Sequence, residues 1–312
     1  MKKIKLSCTL ATFNEEENIS RCLESVIRQL ADCVDEIVVV DGGSSDNTVK
    51  IAKQHGAEVI VTDNPKIFHI NKQKANDLAK GEWILQLDAD EVISSQLASE
   101  VKRVIDMSEG ELTDMYSKIS NKVQSSKFKI QNDKENLFLR HQKLLEQRDG
   151  KVGSNDQNDP IVAFFIPRKN YFLGRFLRYG GTYPDGVIRL FKKDKARLPC
   201  KSVHEQYEVA GRAGWLNGDL LHYDSLTFGR YLVRNSRYAE LFAREFETTN
   251  MPLNPFNFLY YMFIKPFGVF LSLYFRHKGF LDGFPGLVWA IYSGLTWRTA
   301  WVMNWEKKSR NT

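Results

Sequence analysis

Apolar positions near the start of the chain recur at the spacings of strands and helices. Residues 4–10 alternate between apolar and polar side chains, which predicts a strand. The next apolar residues recur every three or four positions and predict a helix with one buried face: Ile19, Leu23, Val26 and Leu30. Residues 36–40 form a run that includes Ile-Val-Val-Val and is typical of a strand covered on both faces.

Strands and helices continue to alternate up to residue 91. Further strands are predicted at 58–62 and 83–87, and the helices before them end at Gly56 and Gly81. The alternation predicts an α/β fold with a doubly wound, mostly parallel sheet, helices on both faces, and ligands at the carboxyl ends of the strands. Asn14 is expected to cap the first helix, with three glutamates in its first turn.

Composition divides the chain into four predicted segments. Residues 1–104 and 161–250 form two halves of the sheet domain, and residues 105–160, rich in Lys, Gln, Asn and Ser, form an inserted polar helical excursion. Residues 251–312 form an aromatic, amphipathic helical region.

The aromatic region contains an apolar run, residues 255–275, that is about as long as a membrane-spanning helix requires. Lys265 and Pro266 lie at its middle and would place a charge and a helix break at the centre of a bilayer. We therefore predict helices that lie on a membrane surface, with Trp and Tyr as interfacial anchors.

The chain has 44 basic and 38 acidic residues, a formal charge of +6 and a pI near 9.0. This balance suits a phosphate-bearing ligand or an anionic membrane, and its even spread argues against a nucleic-acid partner. The four cysteines show no C-x-x-C spacing, and the first residues lack the apolar run of a signal peptide. We expect a cytoplasmic protein, peripheral to the inner face of the cell membrane.

Two carboxylates, Asp88 and Asp90, stand two residues apart just beyond the predicted strand 83–87. Hard divalent cations such as Mg²⁺ and Mn²⁺ bind a few carboxylates together with a substrate diphosphate, whereas two buried acids without a partner repel each other. The spacing therefore predicts a divalent metal site, unless these residues only begin the next helix. Asp41 and Asn14 end neighbouring strands and are expected at the same edge of the sheet.

Three stretches with this chemistry, TLATFNEEENISRCLESV, EIVVVDGGSSDNT and KANDLAKGEWILQLDADE, resemble the family 2 glycosyltransferases. Later stretches, including GRFLRYGGTYPDGVIRLF, SVHEQYEV and HKGFLDGFPGL, resemble the branch that contains the lipopolysaccharide core β-glucosyltransferases. The resemblance implies a GT-A fold, with nucleotide-sugar binding in residues 1–104 and acceptor binding in residues 161–250. It also implies an inverting hexosyltransferase that moves a sugar from a nucleotide-diphosphate donor, with a UDP-sugar favoured, to a glycan or lipid-linked acceptor.

The resemblance implies roles for individual residues. Asp41 would contact the base, Asp88 and Ala89 the ribose side, and Asp90 the metal that bridges the two phosphates. The basic residue that such families use near the base or diphosphate belongs to an Arg-Asn pair, which is replaced here by Lys74-Ala75-Asn76. The candidates for this role are Lys72 or Lys74. The remaining nucleotide-sugar residues lie on the same loops: Thr12, Asn14, Glu15 and Gly42.

Inverting transfer requires a carboxylate on the acceptor side to take the hydroxyl proton. The candidates are Glu205, which we prefer, and Asp185. His204 could join Asp88 and Asp90 on the metal, or it could be an ordinary core histidine; His222 has a weaker claim because leucines precede it. Four basic residues are candidates for holding phosphate on the donor or the acceptor: Lys169, Arg175, Arg178 and Arg189.

Two other functions fit parts of the pattern. A nucleotidyltransferase would need a Gly-rich phosphate loop after the first strand, where this chain has the acidic TFNEEEN. A non-catalytic module that binds nucleotide sugars or a membrane surface would keep the motifs without turnover. The pattern as a whole favours a metal-dependent glycosyltransferase of cell-surface polysaccharide or lipopolysaccharide biosynthesis.

Overall fold

The computed structural model describes residues 4–114, 152–154, 156, 158–200 and 206–310. These residues form two compact units: Met1–Arg168 with Pro184–His222, and Lys169–Tyr183 with Tyr223–Thr312. Most of the predicted insertion, residues 115–151, lies outside the described residues. The division into four segments by composition stays a prediction.

The first unit is built on a sheet with strand order β3-β2-β1-β4-β8-β6-β12-β5, and β11 also pairs with β6. The strands within the described residues are β1 (Leu6–Thr12), β2 (Val34–Asp41), β3 (Glu58–Val61), β4 (Trp83–Leu87), β5 (Glu91–Ile93), β6 (Ile161–Phe172), β7 (Arg175–Phe176), β8 (Asp185–Lys192), β9 (Ala196–Arg197), β10 (Glu208–Val209), β11 (Arg212–Trp215) and β12 (Leu220–Ser225). In the described part of the first unit, the helices with both ends placed are α1 (Ile19–Leu30), α2 (Thr48–Gln54), α3 (His69–Leu78) and α4 (Ser95–Asp106), and residues 109–114 are helical as well.

The sheet changes direction beyond β4. Strands β1 to β4 pair in parallel, as the strand and helix alternation predicts, whereas β8 pairs antiparallel with both β4 and β6. The sheet is therefore mixed, because the strands after residue 160 are not all joined by the helical crossovers that parallel pairing requires.

Strand β1 is buried on both faces. Leu6, Cys8 and Leu10 are fully buried, as the alternation predicts, but Ser7 and Thr9 are fully buried as well. The hydroxyl groups of Ser7 and Thr9 donate to the side chains of Glu36 and Asn76, respectively. Both buried hydroxyl groups therefore have hydrogen-bond partners.

The first helix begins later than predicted. Helix α1 starts at Ile19, and the three glutamates precede it in a turn. Asn14 does not cap the helix: it adopts a left-handed φ of 54°, and its side-chain oxygen accepts from the backbone N–H of Ser45 at 2.9 Å. Asn14 therefore links the loops that follow β1 and β2. Local capping preferences do not predict this tertiary contact.

The second unit consists mainly of three helices, α5 (Phe228–Thr248), α6 (Pro255–Arg276) and α7 (Gly283–Arg310). Aromatic rings fill the contacts between them: Phe242 stacks on Trp297 with ring centres 4.3 Å apart, and Tyr261 stacks on Trp301 at 5.5 Å. Helix α6 contains two π-helical stretches, Tyr260–Ile264 and Ser272–Arg276.

Helix α6 is the one helix among the described residues that is long and apolar enough to cross a membrane, with a mean hydropathy of 1.4 over its most apolar window. Only 6% of that window is buried. The exposed side chains form an apolar stripe along its length, which we call the α6 stripe: Phe256, Leu259, Phe263, Phe267, Leu271 and Phe275. Spacings of three and four residues keep the stripe on one side of the helix.

Candidate active site

A pocket of about 260 Å³ opens at the carboxyl ends of β1 and β4 in the first unit. Its described lining residues are Ala11, Thr12, Phe13, Glu15, Asn64, Phe68, Asn71, Lys72, Asp88, Ala89, Asp90 and His222. The edge of the sheet that was expected to bind ligand therefore carries this pocket. Predicted site residues that line it are Thr12, Glu15, Lys72, Asp88, Ala89 and Asp90.

Asp88 follows β4 and is held by two cations. Its Oδ1 accepts from the Lys72 ammonium, and its Oδ2 accepts from the Arg189 guanidinium at 2.5 Å. Burial opposes the charge on Asp88, but Arg189 and Lys72 outweigh burial and hold the pKa of Asp88 well below its usual value. Asp88 is therefore an anion with a protein cation on each oxygen. A metal bound directly to Asp88 would have to displace one of them.

Arg189, on β8, lies at the centre of this buried arrangement. Its guanidinium donates to the side chains of Gln86 and Asp88, and to Glu91 Oε1 at 2.8 Å. The other carboxylate oxygen of Glu91 accepts from the backbone N–H of Asp88 at 2.9 Å. These bonds fix the loop that carries both aspartates, and they place Arg189 in the protein interior, away from the surface role in phosphate binding that was considered for it.

Asp185, one of the two predicted bases, belongs to the same arrangement. Nε and Nη2 of Arg168 donate to Asp185 Oδ2 at 2.9 and 2.6 Å, and Arg168 Nη1 lies 3.5 Å from Glu91. The Asp185 carboxylate is therefore engaged in a salt bridge with Arg168. The other predicted base, Glu205, and the predicted metal ligand His204 lie outside the described residues.

Six charged side chains form what we call the charge network: Lys72, Asp88, Glu91, Arg168, Asp185 and Arg189. Within the described part of the chain its three carboxylates and three cations balance. Such a network is stable only while it remains complete, because a buried charge that loses its partner is costly.

Asp90 faces the pocket with a different partner. Its Oδ2 lies 3.4 Å from Nε2 of His222, on β12, and both residues line the pocket. Burial opposes the charge on Asp90, but the neighbouring His222 outweighs burial and lowers the pKa of Asp90. Asp90 and His222 thus form an acidic and imidazole pair that is separate from the salt bridges of the charge network.

The distance between Asp90 and His222 is compatible with two ligands of one divalent metal. Two adjacent ligands at about 2.1 Å from one ion lie roughly 3 Å from each other, close to the observed 3.4 Å. No group of three His, Cys, Asp or Glu side chains that could hold a metal occurs in the described parts of the chain. Asp90 and His222 would therefore supply two ligands, and Mg²⁺ or Mn²⁺ sites commonly complete their shells with substrate phosphate and water. From the sequence, His222 was a weaker candidate for a metal ligand than His204. No local pattern indicated that β12 places His222 beside Asp90.

Asp41, the predicted base contact, is fully buried beneath the loops. Its carboxylate accepts from the Thr12 hydroxyl at 2.8 Å, from the backbone N–H groups of Gly43 and Ser44, and from the Ser44 hydroxyl at 2.7 Å. Asp41 is not among the described residues that line the pocket. In this structure it shapes the turn after β2 and fixes Thr12, which does line the pocket.

Three further predicted residues lie around the same loops. Glu15 lines the pocket, and its backbone N–H donates to the Thr48 hydroxyl at 2.8 Å. A Cβ on Gly42 would lie 3.2 Å from the side chain of Asn64, so glycine permits a close approach here. Lys74 is exposed, donates to Thr62 at 3.2 Å, and is not a described lining residue. Of the two predicted lysines, only Lys72 reaches the pocket.

Phe68 is a pocket residue that the sequence patterns did not reveal. Its ring is 42% exposed and lies beneath the Lys72 ammonium, which is 4.9 Å from the ring centre. An exposed aromatic ring beside a cation offers a surface for a planar base. Its only sequence signal was a phenylalanine just before a helix, which is not specific.

The remaining predicted phosphate-binding residues belong to the second unit. The backbone N–H groups of Arg178 and Tyr179 donate to the buried Asp282 at 3.0 and 2.8 Å, and Arg175 donates to the Asp282 carbonyl at 3.1 Å. Lys169 Nζ lies 5.6 Å from the ring centre of Tyr183. Asp282 thus holds the loop that carries both arginines, while their role with phosphate stays a prediction.

Comparison with known proteins gives one family. The sequence profile described as glycosyl transferase family 2 matches residues 7–166, more than half of the chain. A glycosyltransferase of Rickettsia typhi is 38% identical over 315 residues, which cover 98% of this chain and 89% of the relative. The lipopolysaccharide core biosynthesis glycosyltransferase LpsC of Rhizobium meliloti is 25% identical over 307 residues, which cover 92% of this chain and 90% of LpsC.

Among solved structures, glucosyl-3-phosphoglycerate synthase of Mycobacterium tuberculosis, in complex with Mn²⁺, UDP and glucosyl-3-phosphoglycerate, is 23% identical and has a TM-score of 0.26. That match covers 31% of this chain and 37% of the synthase, and at this score it supports no inference. The fold and the sequence matches together define a glycosyltransferase. The chain belongs to glycosyl transferase family 2, and the expected α/β fold of the GT-A type is confirmed, with a mixed sheet.

Proposed function

We propose that this glycosyltransferase moves a sugar, with inversion, from a nucleoside-diphosphate sugar to a lipid-linked glycan, and that the reaction depends on Mg²⁺ or Mn²⁺. The pairing of Asp90 with His222 in the pocket at the carboxyl edge of the sheet carries the proposal. The expected donor is a UDP-sugar. The expected place of action is the cytoplasmic face of the cell membrane.

Each pocket side chain has a task in this proposal. Phe68, Asp90 and His222 line the pocket; Phe68 would stack on the base, and Asp90 with His222 would hold the metal. When bound, the metal supplies positive charge that stabilises the leaving diphosphate. Lys72 lies beside Asp88 with a pKa lowered by burial, against the opposing effect of Asp88, and its ammonium is placed to contact a phosphate oxygen at the pocket wall.

Deprotonation of the acceptor hydroxyl requires a carboxylate that is free to take a proton. Asp185 is engaged by two nitrogens of Arg168, and this contact favours Glu205 as the base. Glu205 lies outside the described residues, so its role rests on the sequence. We expect Glu205→Gln to lose turnover while the enzyme still binds its donor.

A lipid-linked acceptor and a membrane location are supported by the second unit. The α6 stripe exposes apolar side chains over the length of a 22-residue helix, and Phe256 and Phe267 are 72% and 61% exposed. Apolar surfaces of this extent on soluble monomers usually mark an interaction site. Arg276 ends α6 and Lys278 follows it in the connection to α7, where anionic headgroups would meet them. The name of LpsC, a lipopolysaccharide core biosynthesis enzyme, agrees with such an acceptor.

The central test is a donor screen by calorimetry and turnover, with and without Mn²⁺ or Mg²⁺, on the wild type and on Asp90→Asn. We expect Asp90→Asn to abolish metal-dependent donor binding or turnover, because the variant loses the carboxylate that pairs with His222. Asp194→Asn is the matched control, because Asp194 is exposed and has a left-handed φ of 63° that asparagine tolerates. Unchanged metal-dependent turnover in Asp90→Asn would refute the assignment.

Two further outcomes separate the parts of the proposal. Donor binding with metal, but no transfer to any lipid-linked acceptor, would identify a binding module that lacks catalysis. Sedimentation with vesicles that contain phosphatidylglycerol tests the membrane location, and an enzyme that stays in the supernatant contradicts it. Replacing Phe256 and Phe267 by serine should release the enzyme from the vesicles without changing turnover of a soluble acceptor analogue.

A further inference from the structure

A second cavity lies within the second unit, between α6 and α7. Its volume is about 710 Å³, in the range of sites that hold small organic ligands. Eight of its nine lining residues are apolar or glycine, and the ninth is Arg298. We call this cavity the α6–α7 groove; it is lined by Phe263, Ile264, Pro266, Phe267, Gly268, Phe270, Ile291, Leu295 and Arg298.

Arg298 reaches from α7 to the backbone of α6. Its Nε donates to the carbonyl of Met262 at 2.9 Å. In a regular helix that carbonyl would accept from the residue four positions later, which is Pro266 and has no N–H. One nitrogen of Arg298 therefore provides a donor where Pro266 cannot, and the contact holds the guanidinium at the edge of the groove.

The charge of Arg298 has no acidic partner in the described parts of the chain, where no carboxylate lies within salt-bridge distance. The same holds for the neighbouring cation Lys265, whose Nζ lies 4.6 Å from the ring centre of Trp297. Arg298 is part-buried, and its Cζ lies 5.8 Å from the ring centre of Phe263; an anion beside the guanidinium would add a charge-assisted contact that these apolar walls do not supply. The groove thus combines an apolar cavity with a cation that lacks a protein counter-ion.

We propose that the α6–α7 groove binds the acyl chain of an anionic membrane phospholipid, with the Arg298 guanidinium on its phosphate. The proposal rests on the proposed membrane location of the second unit. Phe263 and Phe267 belong to both the groove and the α6 stripe, so an acyl chain could enter from a bilayer that covers the stripe. A planar guanidinium suits phosphate oxygens, which it can bind in a bidentate manner.

The alternatives use only part of the groove. A free phosphate would leave the apolar walls empty, and a neutral alkyl chain would leave the guanidinium without a counter-ion. A ligand with both a phosphate and an acyl chain pairs with the Arg298 guanidinium and also packs against the apolar walls of the groove. Phosphatidylglycerol, which carries one net negative charge at its phosphate, is a lipid of this kind.

The test uses the full-length enzyme and lysophosphatidylglycerol below its micelle concentration, titrated by calorimetry, so that no bilayer is needed. Lysophosphatidylcholine of the same chain length and inorganic phosphate are the comparison ligands. We expect lysophosphatidylglycerol to bind, lysophosphatidylcholine to bind less tightly, and inorganic phosphate to show no binding. Shortening the chain by one methylene should weaken binding roughly fourfold if the chain is buried.

Two variants address the two halves of the groove. Arg298→Gln keeps a donor for Met262 but removes the charge, and it should weaken lysophosphatidylglycerol binding about tenfold or more. Gly268→Leu should fill the groove and abolish binding, because a Cβ at Gly268 meets no atom within 4 Å and the leucine can be accommodated. Gly110→Leu is the matched control, a helical glycine of the first unit with an equally open Cβ, and it should bind like the wild type.

Equal affinity for the two lysolipids, or full binding by Gly268→Leu, would overturn the proposal. A dimer that Gly268→Leu dissociates, with no lysolipid bound by the wild type, would also overturn it and assign the groove to a second copy of the chain. The vesicle experiment tests the membrane location independently of the groove site. If the enzyme binds lysophosphatidylglycerol but not vesicles, the groove proposal stands and the proposed membrane location is refuted. If it binds vesicles but not lysophosphatidylglycerol, the groove proposal is refuted and the membrane location stands.

Discussion

Removal of Arg189 tests whether the charge network supports the fold of the first unit. Arg189 is 6% exposed, and its guanidinium donates to Gln86, Asp88 and Glu91. The substitution Arg189→Met keeps much of the aliphatic volume but removes the cation that balances Asp88 and Glu91. Since Glu91 is fully buried, its charge then keeps only Arg168, at 3.5 Å, as a cation partner among the described residues.

The expected loss follows from the environment of the carboxylates. Breaking a buried ion pair by removing one partner costs about 3–5 kcal/mol, because the remaining charge stays in the interior. For a unit of this size that corresponds to a fall in melting temperature of about 6 to 20 °C. The measurement is thermal unfolding followed by circular dichroism or calorimetry, in the absence of donor and metal.

Two further variants make the interpretation specific. Arg197→Met removes an exposed arginine of the same unit and should change the free energy of unfolding by only about 0.5 kcal/mol or less. Combining Asp88→Asn with Arg189→Met removes one charge of each sign, so the double variant should lose less stability than the sum of the single losses. If Arg189→Met melts within a degree or two of the wild type, the charge network does not stabilise the first unit.

Three other predictions concern the metal pair, the acid range and the packing of the second unit. His222→Ala should weaken Mn²⁺ binding in the presence of UDP by more than roughly tenfold, measured by electron paramagnetic resonance, and unchanged Mn²⁺ affinity would exclude His222 as a ligand. Because the pKa of Asp88 is held well below 3.8 in the folded protein, its charge stabilises the fold above pH 3.8. That contribution is lost as the pH falls through the lower folded-state pKa, so Asp88→Asn should flatten the acid side of the curve of urea midpoint against pH; an unaltered slope would contradict this. Gly294→Ala should destabilise the second unit by about 1–3 kcal/mol, because its Cβ would lie 2.5 Å from the Pro266 carbonyl oxygen, whereas Gly268→Ala, with open space, should be neutral or stabilising in the same melting assay.

The charge network also changes the interpretation of the Asp-x-Asp motif. Both acids were predicted as metal ligands from their spacing and their place at the end of a buried strand, but the structure gives them different partners. Asp88 is neutralised by Lys72 and Arg189, and Asp90 pairs with His222 at the pocket. The two carboxylates therefore do not repel each other as an isolated pair, and the sequence offered no way to see this because Arg189 lies 101 residues from Asp88.

The parts of the fold that follow from local patterns were predicted well. The strands before residue 91, their parallel pairing and the position of the acidic loop after β4 follow from apolar spacing and from the right-handed crossovers that helices impose. The start of α1 and the cap role of Asn14 were wrong, because a contact with the loop after β2 holds Asn14 in a left-handed conformation. Local capping preference yields when a tertiary hydrogen bond competes for the same side chain.

The sequence by itself determined the α/β class, the edge of the sheet that carries the pocket, and the two acids placed there, since each depends on periodicity within a few neighbouring residues. Only the tertiary structure decided which charges pair, that Asp41 accepts hydrogen bonds within the turn after β2, and that His222 lies beside Asp90. It also decided that Arg298 donates to the carbonyl of Met262. These contacts join residues that are far apart in the chain. Their energies depend on distance and burial, which a linear pattern does not contain.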